Sequence, residues 1–505
     1  MGLFGLFSGG SKSGSKNQPN SAPAKINYDK IKCPYCFKEF SHKDVHFKAM
    51  TLKAGESGEN MLDDFLADEE EEAFDFFSGA QKQEESSETV DKSLEQLFTE
   101  QKDTLYQNFW NRYANKPNWK YANYPVITNK DGRMMNGGFK MDMEGFVDSV
   151  EDVFGETSRI RICPHCHNPL PVGYGKYPVH FIATVGITSS GKTVYLSQLM
   201  RNMDTIMTNV GLSTVSMTEA DEKFIHDYPV KKDVPLPQGN TPGALSEPLF
   251  YVILNNGQRH TLVFYDVAGE NCVVAEGMEK FGPFIKNADG IIMILDPDQF
   301  SRVREDMDDN IAKPKAVLQA MFNAFLSSQN VGGKTNIPLA LALSKSDKLQ
   351  GSSLVNPNSN IFRDIQYDPQ NRAFDMKQYR NVMGEVKRFL RDTPEGSALM
   401  VLLENCFSRY GFFAFSALNC GTRTEEVEMN GEIVKLGIPV SHPMPLRIEE
   451  PFLWLMNQFG IVRAANQHRV GKIGYRLNKS YEKCVSKTGK QQREGDAGKD
   501  FPAGG

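Results

Sequence analysis

The sequence predicts an α/β fold, three layers around a mostly parallel sheet, preceded by a small cysteine-based module. Three observations point there. Across residues 177–465, short apolar runs such as Gly290–Leu295 and Leu339–Leu343 alternate with helix-length segments. The first run, Tyr177–Val185, leads into a glycine-framed loop, Gly186-Ile-Thr-Ser-Ser-Gly-Lys-Thr193, that opens a helix. Two Cys-Pro-x-Cys pairs, Cys33/Cys36 and Cys163/Cys166, stand ahead of that loop.

The 505 residues allow two or three domains. A formal net charge of −6 argues against direct nucleic-acid binding. No apolar run approaches the roughly 18 residues that a transmembrane helix needs. Residues 1–30 read as a flexible linker, and Met1–Phe7 lacks the charged start of a signal peptide. With no such signal and eight cysteines, four of them in pairs, a cytoplasmic protein is expected. Residues 31–176 are assigned to a zinc ribbon interrupted by an insertion at about 42–155. Between residues 63 and 100, fourteen Asp/Glu stand against two Lys, a density that opposes compaction. The apolar anchors Met61–Leu66 and Ala73–Phe77 within it suit folding on a partner. Spacing then predicts a helix over 94–113 and a strand and hairpin over 119–132. Residues 466–505, with nine basic and four acidic residues, form a flexible tail.

The loop from Gly186 to Thr193 matches G-x-x-x-x-G-K-[ST] in the strand–loop–helix context that this signature requires. Gly186 and Gly191 let the backbone curl so that N–H groups, including those of Ser189, Ser190 and Val194, face phosphate oxygens at a positive helix end. Lys192 would pair with the β- and γ-phosphates, and the Thr193 hydroxyl would hold Mg2+. A second apolar strand, Arg259–Tyr265, delivers Asp266-Val-Ala-Gly269. Asp266 would hold the metal's hydration shell from the far side, and the Gly269 N–H would meet the γ-phosphate. A third, Ile337–Leu343, leads into Ser344-Lys-Ser-Asp347, and Gly411–Phe415 leads into Ser416 and Ala417.

These elements, in this order and each at a strand end, resemble the TRAFAC class of P-loop GTPases. The resemblance implies GTP and GDP as ligands. Asp347 would accept hydrogen bonds from the guanine N1–H and 2-amino group, the Lys345 stem would pack over the base, and Ser416 and Ala417 would touch it. It also implies a switch-I threonine, for which Thr241 is chosen and Thr214 and Thr218 are alternatives. Two positions depart from the family: Ser344 stands where Asn or Thr is usual, and Glu270 where many members carry a water-orienting Gln. Arg259 is the nearest candidate for an internal arginine finger. The V-G-I-T-S-S-G-K-T and D-V-A-G-E sequences, the long loops and the cysteine pairs together resemble the bacterial double-GTPase family. That likeness implies protein partners, a second GTPase among them, in a conflict or defence setting.

Each Cys-Pro-x-Cys turn forms a knuckle whose N–H groups soften thiolate charge. Two knuckles make a closed tetrahedral structural zinc site from Cys33, Cys36, Cys163 and Cys166. His42, His46, His165 and His167 are alternative ligands for two separate sites, and free thiols or a redox pair stay open. Cys272 reads as a bystander. The function expected is a GTPase switch with slow or partner-stimulated hydrolysis. An ATPase and a non-hydrolysing nucleotide-stabilised scaffold are the alternatives.

Overall fold

The structure, a computed structural model, describes residues 28–50, 103–113, 124–130, 132–186, 190–237, 244–255, 257–268, 275–303, 314–326, 334–429 and 432–465. Both terminal segments, the acidic stretch, and Ser189, Thr241, Gly269, Glu270 and Cys272 lie outside these residues.

Seven strands form the central sheet: β1 (Val179–Gly186), β2 (Ser213–Ser216), β3 (Leu249–Asn255), β4 (Gln258–Ala268), β5 (Gly290–Leu295), β6 (Leu339–Leu343) and β7 (Tyr410–Ala414). Their order across the sheet is β2-β3-β4-β1-β5-β6-β7. β2, β3 and β4 are antiparallel neighbours, whereas β4, β1, β5, β6 and β7 all run parallel. The parallel strands read as unbroken apolar runs because both faces are covered. Ile291, Met293 and Leu295 of β5 pack into one core, and Ile292 and Ile294 into the other. Burying each such side chain contributes about 2 kcal/mol.

One face carries α4 (Ala275–Lys286), α6 (Met376–Arg391) and α7 (Pro394–Cys406), with α5 (Pro314–Leu326) beside them; the other carries α1 (Lys192–Arg201), α2 (Met203–Asn209) and α8 (Glu449–Gln458). This is the expected three-layer α/β arrangement. The short helix α3 (Glu219–Asp227) follows the edge strand β2. After β7 comes a two-stranded hairpin, β8 (Thr422–Met429) and β9 (Glu432–Pro439), which the sequence reading leaves out. Its signal was available: Asn430-Gly431 stands between two β-prone runs.

The N-terminal region packs on the α4 face. Ile31–Lys32 pairs with Glu39–Phe40 around the first knuckle. His46–Lys48 lies between Val126–Ile127 and Arg161–Ile162, so parts of the expected insertion are strands of the sheet that carries the second knuckle. The expected helix over 94–113 is Thr104–Arg112 within the described residues, capped by the Asp103 carboxylate. Phe37 enters the junction with a left-handed backbone (φ 60°), and its ring lies 5.0 to 6.0 Å from those of Phe284, Tyr265 and Phe181. The Tyr265 hydroxyl donates to the Pro34 carbonyl at 2.6 Å. The cysteine module is thereby seated on β4, the strand that carries Asp266 near its end, and on the helix that follows it.

Candidate nucleotide and metal sites

From β1 the chain runs to the edge strand β2 on one side, and from β4, the neighbour of β1, it crosses to β5 on the other, so the sheet has its switch point between the C-terminal ends of β1 and β4. Open α/β sheets hold ligands in the crevice at such a point. The loop from Gly186 to the start of α1 lies there. Gly191 has φ +81°, a left-handed conformation that glycine adopts at no steric cost, and it delivers Lys192 and Thr193 into the first turn of α1. A Cβ on Gly186 would stand 2.5 Å from Ser190 Oγ, so a side chain there would have to displace the Ser190 hydroxyl. Ser190 Oγ is itself buried, without a hydrogen-bond partner among the described residues.

The β4–β1 register sets Asp266 beside Thr184 and Ala268 beside Gly186, which brings the Asp266 carboxylate to the mouth of the loop. Lys192 Nζ lies 2.8 Å from Asp266 Oδ1, and Thr193 Oγ1 donates to Asp266 Oδ2 at 3.3 Å. All three side chains are nearly buried, so the charges are poorly screened.

The turn after β6 forms the other wall. Ser344 N–H and Oγ both donate to the Leu295 carbonyl, at 2.8 and 3.0 Å, and Ser346 N–H donates to the Phe415 carbonyl at 3.0 Å. The serine hydroxyl thus ties the end of β6 to β5. Lys345, between these two anchors, is forced into a left-handed backbone (φ 48°). Its Cε comes within 4.0 Å of the Cβ position at Gly191, so the lysine stem crosses toward the phosphate loop. Asp347 Oδ1 accepts the Ser416 hydroxyl at 2.5 Å, and Ser416 Oγ accepts Asn419 N–H at 2.8 Å. Ser416 also exchanges two backbone hydrogen bonds with Leu446, and Gln198 of α1 donates to the Ala417 carbonyl at 3.1 Å. Gly186, Ser190, Gly191, Lys192, Thr193, Val194, Asp266, Lys345, Asp347, Ser416 and Ala417 therefore sit on strand and helix ends around one crevice.

Asp296, at the end of β5, was not singled out from sequence. It is 4% exposed and pairs with Lys345 Nζ at 2.5 Å. An acid closing an apolar strand, as at Asp266, was the available signal. Arg259 is not a finger: it sits at the opposite end of β4 from Asp266, paired across from Leu254, and its guanidinium donates to Tyr177 OH at 2.9 Å. Thr214 lies in edge strand β2, and Thr218 opens α3.

The four cysteines form a separate cluster, with all sulfurs within 4.8 Å of one another. Cys33 and Cys166 Sγ are 3.7 Å apart, and Cys36 and Cys163 Sγ 3.8 Å. Disulfides require about 2.05 Å. Four thiolates about 2.3 Å from a tetrahedral zinc lie roughly 3.8 Å from one another, so the set fits that ion. Tyr35 and Cys36 N–H donate to Cys33 Sγ, and His165 N–H to Cys163 Sγ, at 3.4 to 3.5 Å. Burial pushes the Cys33 and Cys166 thiols up, while hydrogen bonds from the neighbouring thiols pull Cys36 down. A divalent cation would offset that burial cost. The four histidines are not part of the cluster. His42 Nδ1 accepts Val147 N–H, His165 Nε2 lies 3.4 Å from the Glu39 carbonyl, and His46 Nδ1 lies 3.3 Å from His167 Nε2. His167 in turn meets Asp103, whose other oxygen pairs with the buried Lys48.

With a P-loop, an acid-ended partner strand and a base-side turn at one switch point, the fold is that of a P-loop G domain. Residues 180–406 match the family model Double-GTPase 2. That stretch matches the double-GTPase family of P-loop proteins, which supports a GTP-binding P-loop G domain there. The chain is also 24% identical, over 343 residues, to a Mycolicibacterium smegmatis protein named as an ESX-1 scaffolding and assembly protein, SaeC. The alignment covers 61% of this chain and 82% of that one. Among solved structures, the chain resembles elongation factor SelB from Methanococcus maripaludis with the GTP analogue GppNHp. There the identity is 13%, over 48% of this chain and only 30% of that one, with a TM-score of 0.20. It also resembles the G domain of the T. maritima FeoB iron transporter, at 13% identity over 35% and 78% of the two chains, with a TM-score of 0.17. Likenesses this distant add nothing to the assignment, which rests on the family match and the strand order. No helix among the described residues is long and apolar enough to cross a membrane.

Proposed function

We propose that the chain is a GTP-operated switch that hydrolyses GTP to GDP and phosphate, slowly or on stimulation by a protein partner. The observation that carries this is the convergence of Lys192, Thr193 and Asp266 with Lys345, Asp347 and Ser416 on one crevice. In this reading Lys192 binds the β- and γ-phosphates, and Asp347 reads guanine as a paired acceptor that adenine leaves unsatisfied. Thr193 and Asp266 would hold Mg2+, which neutralises charge on the transferring phosphate. Gly269 would contact the γ-phosphate, Glu270 would orient water, and Thr241 would close the site from switch I. Cys33, Cys36, Cys163 and Cys166 would hold a structural zinc.

Partners are inferred from two sources: the double-GTPase likeness, which implies a second GTPase, and the relative named for scaffolding and assembly. The latter also favours a second reading, a nucleotide-stabilised scaffold with little hydrolysis. Neither reading depends on the defence setting that the family resemblance implies. Single-turnover phosphate release from Mg2+-GTP by the full chain separates them. Release that Lys192→Ala abolishes supports the enzyme, and tight binding without release supports the scaffold.

A further inference from the structure

The turns that follow β5 and β6 are joined by two Lys–Asp pairs of similar chemistry and different setting. Lys348 pairs with Asp298 on the outside, where the side chains keep 45% and 29% of their exposure. Lys345 pairs with Asp296, where the side chains keep 32% and 6%, so the difference lies mainly in the buried aspartate, and the lysine stem comes within 4.0 Å of the Cβ position at Gly191 of the phosphate loop. Asp296 cannot swing away, because it also caps its own turn. Its Oδ1 accepts Asp298 N–H at 3.0 Å, and its N–H donates to Gln299 Oε1 at 3.1 Å. Lys345 is held from the other end by its left-handed backbone, between the Ser344 and Ser346 anchors. A residue kept in that conformation is strained and persists only where its surroundings demand it. Fixed at both ends, the four-carbon stem becomes a rigid bar along the crevice instead of a mobile side chain. A lysine normally loses rotamer entropy when a ligand immobilises it, and here that cost falls on folding.

We infer that Asp296 is a positioning residue for nucleotide binding: it holds the Lys345 head so that the stem is already in place to cover the base. The inference rests on the guanine reading given above. Removing the Asp296 charge frees Lys345 and leaves the stem to be ordered by the ligand, so bound nucleotide leaves faster. Removing the Asp298 charge does nothing of the kind, because Lys348 lies away from Gly191.

The test measures dissociation of a fluorescent GDP analogue, and the preference for GDP over ADP, on the full chain. The variants are Asp296→Asn, Asp298→Asn, Lys345→Met and the double variant Asp296→Asn/Lys345→Met. Asparagine keeps the capping acceptor and removes only the charge. If it does not fold, as judged by circular dichroism and zinc content, Asp296→Ser keeps the cap and takes its place. The expected result is dissociation about tenfold faster in Asp296→Asn, with a narrowed preference for GDP. Asp298→Asn should match wild type, and the double variant should be no faster than Lys345→Met alone. Wild-type rates in Asp296→Asn, an equal effect of Asp298→Asn, or additive effects in the double variant would overturn the inference. A wild-type chain that fails to prefer guanine nucleotides would overturn the reading beneath it.

Discussion

The cysteine cluster and the nucleotide crevice both gather residues from distant parts of the chain, but they are held by different means. Each cysteine pair is shaped by its own short turn, with N–H groups donating to Cys33 and Cys163 sulfurs two or three residues away. Only the meeting of the two turns depends on the fold. In the crevice the residues come from the ends of several strands and helices, and the bonds that fix them cross between elements: Ser344 to Leu295, Ser346 to Phe415, Gln198 to Ala417. The first site is closed, with its four sulfurs within 4.8 Å of one another, a set that would leave a tetrahedral ion no open position. In the second, Lys192 pairs with Asp266 while Asp347 accepts the Ser416 hydroxyl, an open set of strand-end groups. A closed set suits stability and an open one suits turnover. The two meet at Tyr265, which touches the knuckle through Pro34 and Phe37 and immediately precedes Asp266.

The contrast should break most strongly at the cysteines. Cys163→Ser is expected to lose one zinc per chain and to lower stability by about 3 kcal/mol or more, visible by metal analysis and thermal unfolding. Lys192→Ala should spare zinc content entirely and weaken GTP binding about 100-fold, or about 3 kcal/mol, because a charge-assisted phosphate contact is removed. Titration calorimetry checks it. Phe37→Ala tests the junction: about 2 kcal/mol of stability should go with the ring, and if the two sites are mechanically independent, nucleotide affinity should not follow.

The smallest effect is expected far from both sites. His180, at the start of β1, lies 3.1 Å from His260 and stacks on Phe459. Burial, then the neighbouring His260, brings its pKa down to about 4. Because the folded value is depressed, the unfolded chain takes up the proton first as pH falls below about 6.5. Stability present above that pH should decline toward pH 4. His180→Phe should flatten that slope in denaturant titrations without altering zinc or nucleotide binding.

Much of this was legible in the sequence, for physical reasons that differ by element. β1, β5 and β6 are buried on both faces and announce themselves as apolar runs, and the strand–glycine–helix order of 186–193 has few other uses. The cysteine pairs were legible as knuckles, while their joining across a long intervening stretch could only be inferred. Asp296 escaped because its role depends on a contact with Lys345, 49 positions away. The hairpin β8–β9 escaped because its first strand opens with Thr422-Arg-Thr-Glu-Glu426, which has no apolar residue to mark a buried face. Arg259 misled because proximity in sequence to Asp266 means the far end of an extended strand. The acidic stretch and the segments bearing Thr241, Gly269 and Glu270 lie outside the described residues.

The central claim is that the crevice reads guanine through Asp347. Competition of GTP, GDP and ATP against a fluorescent guanine nucleotide, with Mg2+, on wild type and Asp347→Asn tests it most directly. The account predicts that GTP and GDP compete, that ATP does not, and that Asp347→Asn loses the guanine preference by about 100-fold. Equal competition by ATP, or an Asp347→Asn chain that still prefers guanine, would contradict it.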